Sequence, residues 1–210
     1  MSRRYPALAF TDGVRAVQHS HGSDTFYDRK RVIAQASPGP DPMTEEVVDF
    51  LAERDGFYLA TVSETGWPYV QFRGGPRGFV HTIDQNTIAW ADFRGNLQYI
   101  STGNLAGEGR VAIIAVDYPS RRRIKIFGRA RTVTAEDDPA LMRALADPSY
   151  DAVVERAVVV DVEAFDWNCP QHITPRFSAE ELEPAMVKLH DRIATLEAEN
   201  AALKAKLANP

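Results

Sequence analysis

One cysteine, Cys169, stands in a chain of 210 residues, which excludes an intramolecular disulfide. Long apolar runs are missing as well: none approaches the roughly 20 residues that a membrane-crossing helix needs. The opening MSRRYPALAFTDGVRAV follows its arginines with a short apolar patch broken by Thr11 and Asp12, so no secretory signal is expected and the cytoplasm is the default location. Neither GxGxxG at a strand-to-helix turn nor GxxxxGK[S/T] occurs, which removes the dinucleotide fold and the P-loop as readings. A charge excess is absent too. The net charge of −5, with both signs interspersed, gives no electrostatic reason to expect nucleic acid or a membrane surface as partner. Metal ligands are thin: His19 and His21 lie two apart in a polar segment, and the Cys169-x-x-His172 pair has no second pair to complete a zinc site. No metal is expected, and Cys169 reads as a buried, inert thiol.

What is present suits one core with appendages, the usual allotment for this length. Residues 1–42 mix Gly, Pro, His, Ser and charge without a sustained period and close in Ser37-Pro38-Gly39-Pro40-Asp41-Pro42, so they are expected to be an arm. A helix is predicted over Thr44–Arg54, with Thr44 as cap, Glu45 and Glu46 in the first turn, and Val47, Val48, Phe50 and Leu51 as its apolar face. From Phe57 to about Val162 follow short runs rich in β-branched and aromatic residues: FYLATVS, PYVQF, GFVHTI, TIAWADF, RVAIIAVDY, RRIKIFGRARTV and RAVVVDV. Closely spaced short strands point to a barrel or sandwich. A helix over Asp137–Leu145 interrupts them, and a long one begins near Ser178. The fold class is mostly β (α+β), divided as an arm over 1–42, a barrel domain over 43–177 and a helix over 178–210.

The last helix carries a heptad seam. Leu189, Ile193, Leu196, Asn200, Leu203 and Leu207 are spaced 4, 3, 4, 3, 4, which puts Ile193, Asn200 and Leu207 at a and Leu189, Leu196 and Leu203 at d. Ile at a with Leu at d favours two strands, and a single Asn at a fixes register and parallel pairing. Arg192 at g would face Glu197 at e of a parallel partner, and Glu199 would face Lys204. The spacing therefore predicts a homodimeric coiled coil, with an amphipathic helix packed on its own barrel as the alternative. A basic-zipper reading fails because the preceding SAEELEPAM is acidic.

Two stretches carry the chemistry: residues 67–80, WPYVQFRGGPRGFV, and residues 90–105, WADFRGNLQYISTGNL. Here the chain resembles the pyridoxamine 5'-phosphate oxidase-like family of FMN-binding split-barrel proteins. LATVSETGWPYVQF is similar to that family's first hairpin, DFRGNLQYISTGNL to its flavin-phosphate turn, and DYPSRRRIKIFGRARTV to its paired strands ending in Gly and a basic residue. With the stretch WNCPQHITPRF over 167–177, the resemblance spans roughly residues 45–177.

The resemblance implies a six-stranded split β-barrel with flanking helices, and FMN bound at the interface of a homodimer. Read physically, a flavin phosphate needs cationic or backbone donors, which Arg73, Arg77 and the Gly95-Asn96 lead into a short helix can supply. The ring system needs polar partners for one edge and an aromatic wall, for which Gln71, Asp92, Gln98 and Arg123 are the polar candidates. Gly74, Phe93, Asn96, Tyr99 and Gln171 complete the implied cofactor contacts, while Trp167 and Arg176 are similar to residues that reach the flavin from the second subunit. Against these readings, Trp90 is expected in the core, Gly74-Gly75-Pro76 suits a tight turn, and the odd-numbered charges of 121–131 suit a solvated strand face. The chain departs from the vitamin-forming oxidases in two places. Leu97-Gln98 stand where adjacent basic residues are expected, and PQHITPRF keeps His172 without the neighbouring arginine. The expected activity is an FMN-dependent oxidation or reduction of another small molecule, with NADH or NADPH as donors to test. Authentic pyridoxamine phosphate oxidation, a non-catalytic flavin carrier or sensor, and a barrel for deazaflavin or haem are the alternatives. No residue is singled out as an acid or base.

Overall fold

The structure is a computed structural model that describes residues 4–35, 39–167 and 170–208; Ser37, Pro38, Asn168 and Cys169 lie outside the described residues. Two compact units divide the chain, one of Met1–Asp117 with Arg122–Gln171 and the other of Tyr118–Arg121 with His172–Pro210.

The first unit is built on seven strands: β1 (Gly56–Val62), β2 (Pro68–Gly74), β3 (His81–Asp84), β4 (Thr87–Phe93), β5 (Arg110–Asp117), β6 (Arg122–Val133) and β7 (Val154–Trp167). They form one antiparallel sheet in the order β2-β1-β5-β6-β7-β4-β3. The expectation of six strands is corrected to seven. Six is the count implied by the resemblance; the seven runs read from the residues include GFVHTI, which overlaps the four-residue β3 paired with β4. The two edge strands do not pair with each other, so the sheet is split rather than closed.

Period-two patterning decides which face is core. On β1, Phe57, Leu59 and Thr61 are buried while Tyr58 and Val62 point outward. On β5 the buried set is Val111, Ile113 and Ala115, and on β6 it includes Ile124 and Ile126. These residues meet Val158, Val160, Val162 and Phe165 of β7, Ile88 and Trp90 of β4, and Val47, Phe50 and Leu51 of α4 (Glu45–Ala52) in one cluster. Trp90 is therefore core, as its apolar neighbours suggested. Thr44 is at the N-cap of α4, although its side chain makes no capping hydrogen bond. On the opposite face, Ala89 and Ala91 of β4 and Ala157 and Val159 of β7 pack with Leu145 of a short helix over Pro139–Leu145, whose first turn is capped by Asp138 accepting from the Leu141 N–H at 2.9 Å. The charges of β6 follow the solvated reading: Arg129 pairs with Glu163 and Arg131 with Asp161 of β7.

The N-terminal segment is helical, in α1 (Tyr5–Ala9), α2 (Asp12–Ser20) and α3 (Asp24–Gln35). Local capping outweighs the missing period: Thr11 Oγ1 accepts from the Val14 N–H, and Asp24 Oδ2 lies 2.5 Å from His19 Nδ1. Tyr5 stacks on Phe127 of β6 with ring centroids 5.0 Å apart, and Arg4 pairs with Glu163, which fastens the arm to the sheet.

In the second unit a single helix, α7 (Ala179–Ala208), runs for 30 residues, and Arg176 lies over the Tyr118 ring at 5.1 Å. Its heptad positions Leu189, Ile193, Leu196, Leu203 and Leu207 are all exposed, by 43% to 83%.

Ile126, 1% exposed at the centre of the cluster, tests the core. Ile126→Ala is expected to lower the unfolding free energy by about 2–5 kcal/mol, read as a lower denaturant midpoint with an unchanged slope.

Candidate functional site

The sheet order brings β2 and β4 together only through side chains, because β1, β5, β6 and β7 lie between them in the hydrogen-bonded ladder. At that seam Arg73 of β2 donates from Nη1 to Asp92 Oδ1 of β4 at 2.7 Å. Around the pair lies a small niche enclosing about 40 Å³. Its β2 wall presents Tyr69, Gln71 and Arg73, its β4 wall ends in Asp92 and Phe93, and its rim is the turn Gly95–Tyr99 leading into α5 (Ile100–Leu105).

Each polar group there is held by its neighbours. Ser101 Oγ donates to Gln71 Oε1 at 2.9 Å, which orients that amide. Asn104, one turn along α5, donates to Thr61 Oγ1 at 2.9 Å and ties the helix to β1. Asn96 Oδ1 accepts from the Gln98 N–H at 3.2 Å. Leu97 and Tyr99 both take left-handed backbone, at φ 61° and 52°, a conformation costing roughly 1–2 kcal/mol for a residue with a Cβ. Such strain at a pocket rim is a mark of binding sites.

Electrostatics give the niche its character. Asp92 is 6% exposed, and burial pushes its carboxyl above the usual range, against the pull of Arg73 and Arg156; Glu155 adds to the rise. Glu155 of β7 behaves oppositely. It accepts from Arg94 Nε at 2.9 Å, from the Tyr99 hydroxyl at 3.1 Å and from Arg156 Nη2 at 2.9 Å. The Arg94 bond leads in holding it below the ordinary carboxylate range. Arg73 uses Nη1 for Asp92, yet its buried Nε has no hydrogen-bond partner. A buried guanidinium edge without an acceptor is costly, and an anionic group in the niche would supply one.

Seven of the expected cofactor contacts, Gln71, Arg73, Asp92, Phe93, Asn96, Gln98 and Tyr99, converge here. Gly74 closes β2 directly after Arg73. The remaining ones lie outside the niche lining: Arg123 is half-buried on β6, Gln171 is exposed beyond β7, and Arg176 belongs to the second unit. Trp167 ends β7, edge-on to Phe50 and under the Arg122 guanidinium at 4.5 Å. Glu155 and Arg156 were missed by sequence reasoning. Their signal was the charged pair opening the apolar run of β7, but only the register, with Arg156 opposite Asp92, delivers them to the seam. Among the described residues no three His, Cys, Asp or Glu side chains cluster as metal ligands, and no helix is long and apolar enough to cross a membrane.

Split sheet and polar seam together define a split-barrel protein with a polar niche between strand ends. Residues 43–167 match the profile of the family described as pyridoxamine 5'-phosphate oxidase, and the chain belongs to that family. Solved structures similar to it include HupZ of Group A Streptococcus, at 16% identity over 64% of this chain and 99% of that one with a TM-score of 0.46. An FMN-binding protein from Syntrophomonas wolfei is 13% identical over 69% and 97%, with a TM-score of 0.46. An F420 reductase is 23% identical over 59% and 98%, with a TM-score of 0.41. No curated protein matches.

Replacing Arg73 by methionine leaves Asp92 buried without its cation. Arg73→Met is expected to destabilise the protein by about 3 kcal/mol near neutral pH, as for other broken buried pairs. The loss should shrink on acidification, because a native carboxyl titrating above its unfolded value gains stability as pH falls through the raised value. A loss that stays constant across the acid range in denaturant titrations would contradict this account.

Proposed function

We propose that this protein is an FMN-dependent oxidoreductase acting on a small molecule, with its flavin held at the interface of a homodimer. The observation that carries the reading is the seam of Arg73, Gln71, Asn96, Gln98 and Tyr99, within the stretch that matches the family. The residues present fit the group. Arg73, with its unpartnered Nε, would take the phosphate, Gln71 and Gln98 would meet the polar edge of the ring, and Phe93 and Tyr99 would flank it. When bound, the flavin supplies hydride chemistry, and the protein contributes position and electrostatics.

Two features favour a second copy. A niche of about 40 Å³ is far below the roughly 300–1,000 Å³ of small-molecule sites, so another surface is needed to enclose a flavin. Separately, the outward face of β1 and β2, turned away from the niche, offers a second copy an apolar surface: Tyr58, Val62, Val70 and Phe72 are exposed by 39% to 60%, with Tyr58 and Phe72 in edge contact at 5.4 Å. Trp167 and Arg176 of that second copy would complete the site, and α7 would pair in parallel through its exposed seam. The missing arginine beside His172 disfavours pyridoxamine phosphate as substrate.

The purified protein should show flavin absorbance, release a cofactor with the mass of FMN, and oxidise NADH or NADPH under air. Flavin without turnover would favour a carrier or sensor, and a colourless protein that ignores added FMN would end the proposal. Light scattering should give a dimer, and Ile193→Lys with Leu196→Lys should weaken it; unchanged mass at micromolar concentration would remove α7 from the interface.

A further inference from the structure

Three guanidinium groups, Arg73, Arg94 and Arg156, meet two carboxylates, Asp92 and Glu155, around the niche. The two carboxylates are served unequally. Glu155 is bonded by Arg94, Arg156 and the Tyr99 hydroxyl, whereas Asp92 has one ion-pair partner, Arg73. Arg156 also spends Nη1 on Thr102 Oγ1 at 3.2 Å and lies over the Tyr99 ring at 5.0 Å. Arg73 is the one of the three cations that bonds Asp92 and keeps a buried Nε without an acceptor, so Asp92 is the group that an anion on Arg73 must displace or join.

We propose that Asp92 is a built-in competitor for Arg73, so that a phosphate-bearing ligand binds this niche together with one proton taken up by the Asp92 carboxyl. The inference rests on the reading of the niche as a phosphate-ester site. A phosphate on Arg73 Nε or Nη2 would lie within a few ångströms of Asp92, and like charges that close raise a carboxyl's affinity for a proton. Asp92 is 6% exposed and held at 2.7 Å by Arg73, at the penultimate position of β4 beside a register shift against β7. Protonated, it becomes a donor to the phosphate oxygen it would otherwise repel. The groups facing Asp92 are Arg73 from β2 and Arg156 and Glu155 from β7; Arg94 and Tyr99 act on it through Glu155. Burial already favours the neutral form of Asp92, while three hydrogen bonds hold Glu155 ionised, so the proton goes to Asp92. No bond other than this O–H is made, and the proton comes from solvent.

By linkage, the affinity for the phosphate ester rises as pH falls, by up to about tenfold per pH unit between the carboxyl's free and bound pKa values. The phosphate's own second ionisation near pH 6 sets the useful window at about pH 7 to 9. FMN, riboflavin and inorganic phosphate would each be titrated calorimetrically into the full-length protein and into Asp92→Asn, in buffers of different ionisation heat. For the wild type, FMN should tighten several-fold as pH is lowered across the window with net proton uptake, while riboflavin stays level. Asp92→Asn should bind FMN more tightly at the alkaline end, without pH dependence or proton uptake. FMN binding that is level with pH, with no proton uptake in the wild type, overturns the role of Asp92 and leaves the proposed function standing. Inorganic phosphate that binds with the expected pH dependence while FMN does not bind supports the competitor and removes the flavin. Absence of binding by both overturns both. The wild-type proton count decides the matter even if Asp92→Asn fails to fold.

Discussion

The Arg73–Asp92 ion pair joins two strands that the backbone leaves apart. β2 is one edge of the sheet and β4 is next to the other, so hydrogen bonding runs through four intervening strands before it connects them. Core packing of Trp90 against Phe57, with ring centroids 4.9 Å apart, brings β4 towards β1 from within. The ion pair does the same at the strand ends, where the apolar layer gives out and polar side chains face a gap. A carboxylate at 6% exposure is tolerable there because its cation is 2.7 Å away.

Function follows from that placement. The sheet's inner face is filled by branched aliphatic and aromatic side chains in one cluster. Polar groups collect where the strands end and α5 begins, beside the turn Gly95–Tyr99 with its left-handed Leu97 and Tyr99. α5 is anchored by Asn104 on Thr61 and by Ser101 on Gln71, so the turn is held from both sides. An orphaned Arg73 Nε and left-handed Leu97 and Tyr99 are stability given up locally around the niche.

Much of this was legible in the sequence, for identifiable reasons. β1 and β5 alternate, β4 is a short apolar run with Trp90 at its centre, and α7 is a long stretch of helix formers, so local pattern placed these elements. Residues 71–73 and 92–99 were readable because the site's two longest segments are each contiguous. Glu155 and Arg156 were not, since only the register of β7 against β4 carries them there from some sixty positions downstream. The N-terminal helices escaped because they are short segments separated by Phe10-Thr11 and by residues 21–23, so no period is sustained across them. The run GFVHTI marked β3, and the count of six came from the family resemblance rather than from the residues.

The most direct test of the seam is a double-mutant cycle on Arg73→Met and Asp92→Asn, read as unfolding free energy in denaturant. If the pair closes the split, the two losses should be coupled by at least about 1 kcal/mol, within the range for contacting charged residues. Additive losses would mean that the core alone holds β2 to β4 and that the ion pair is incidental.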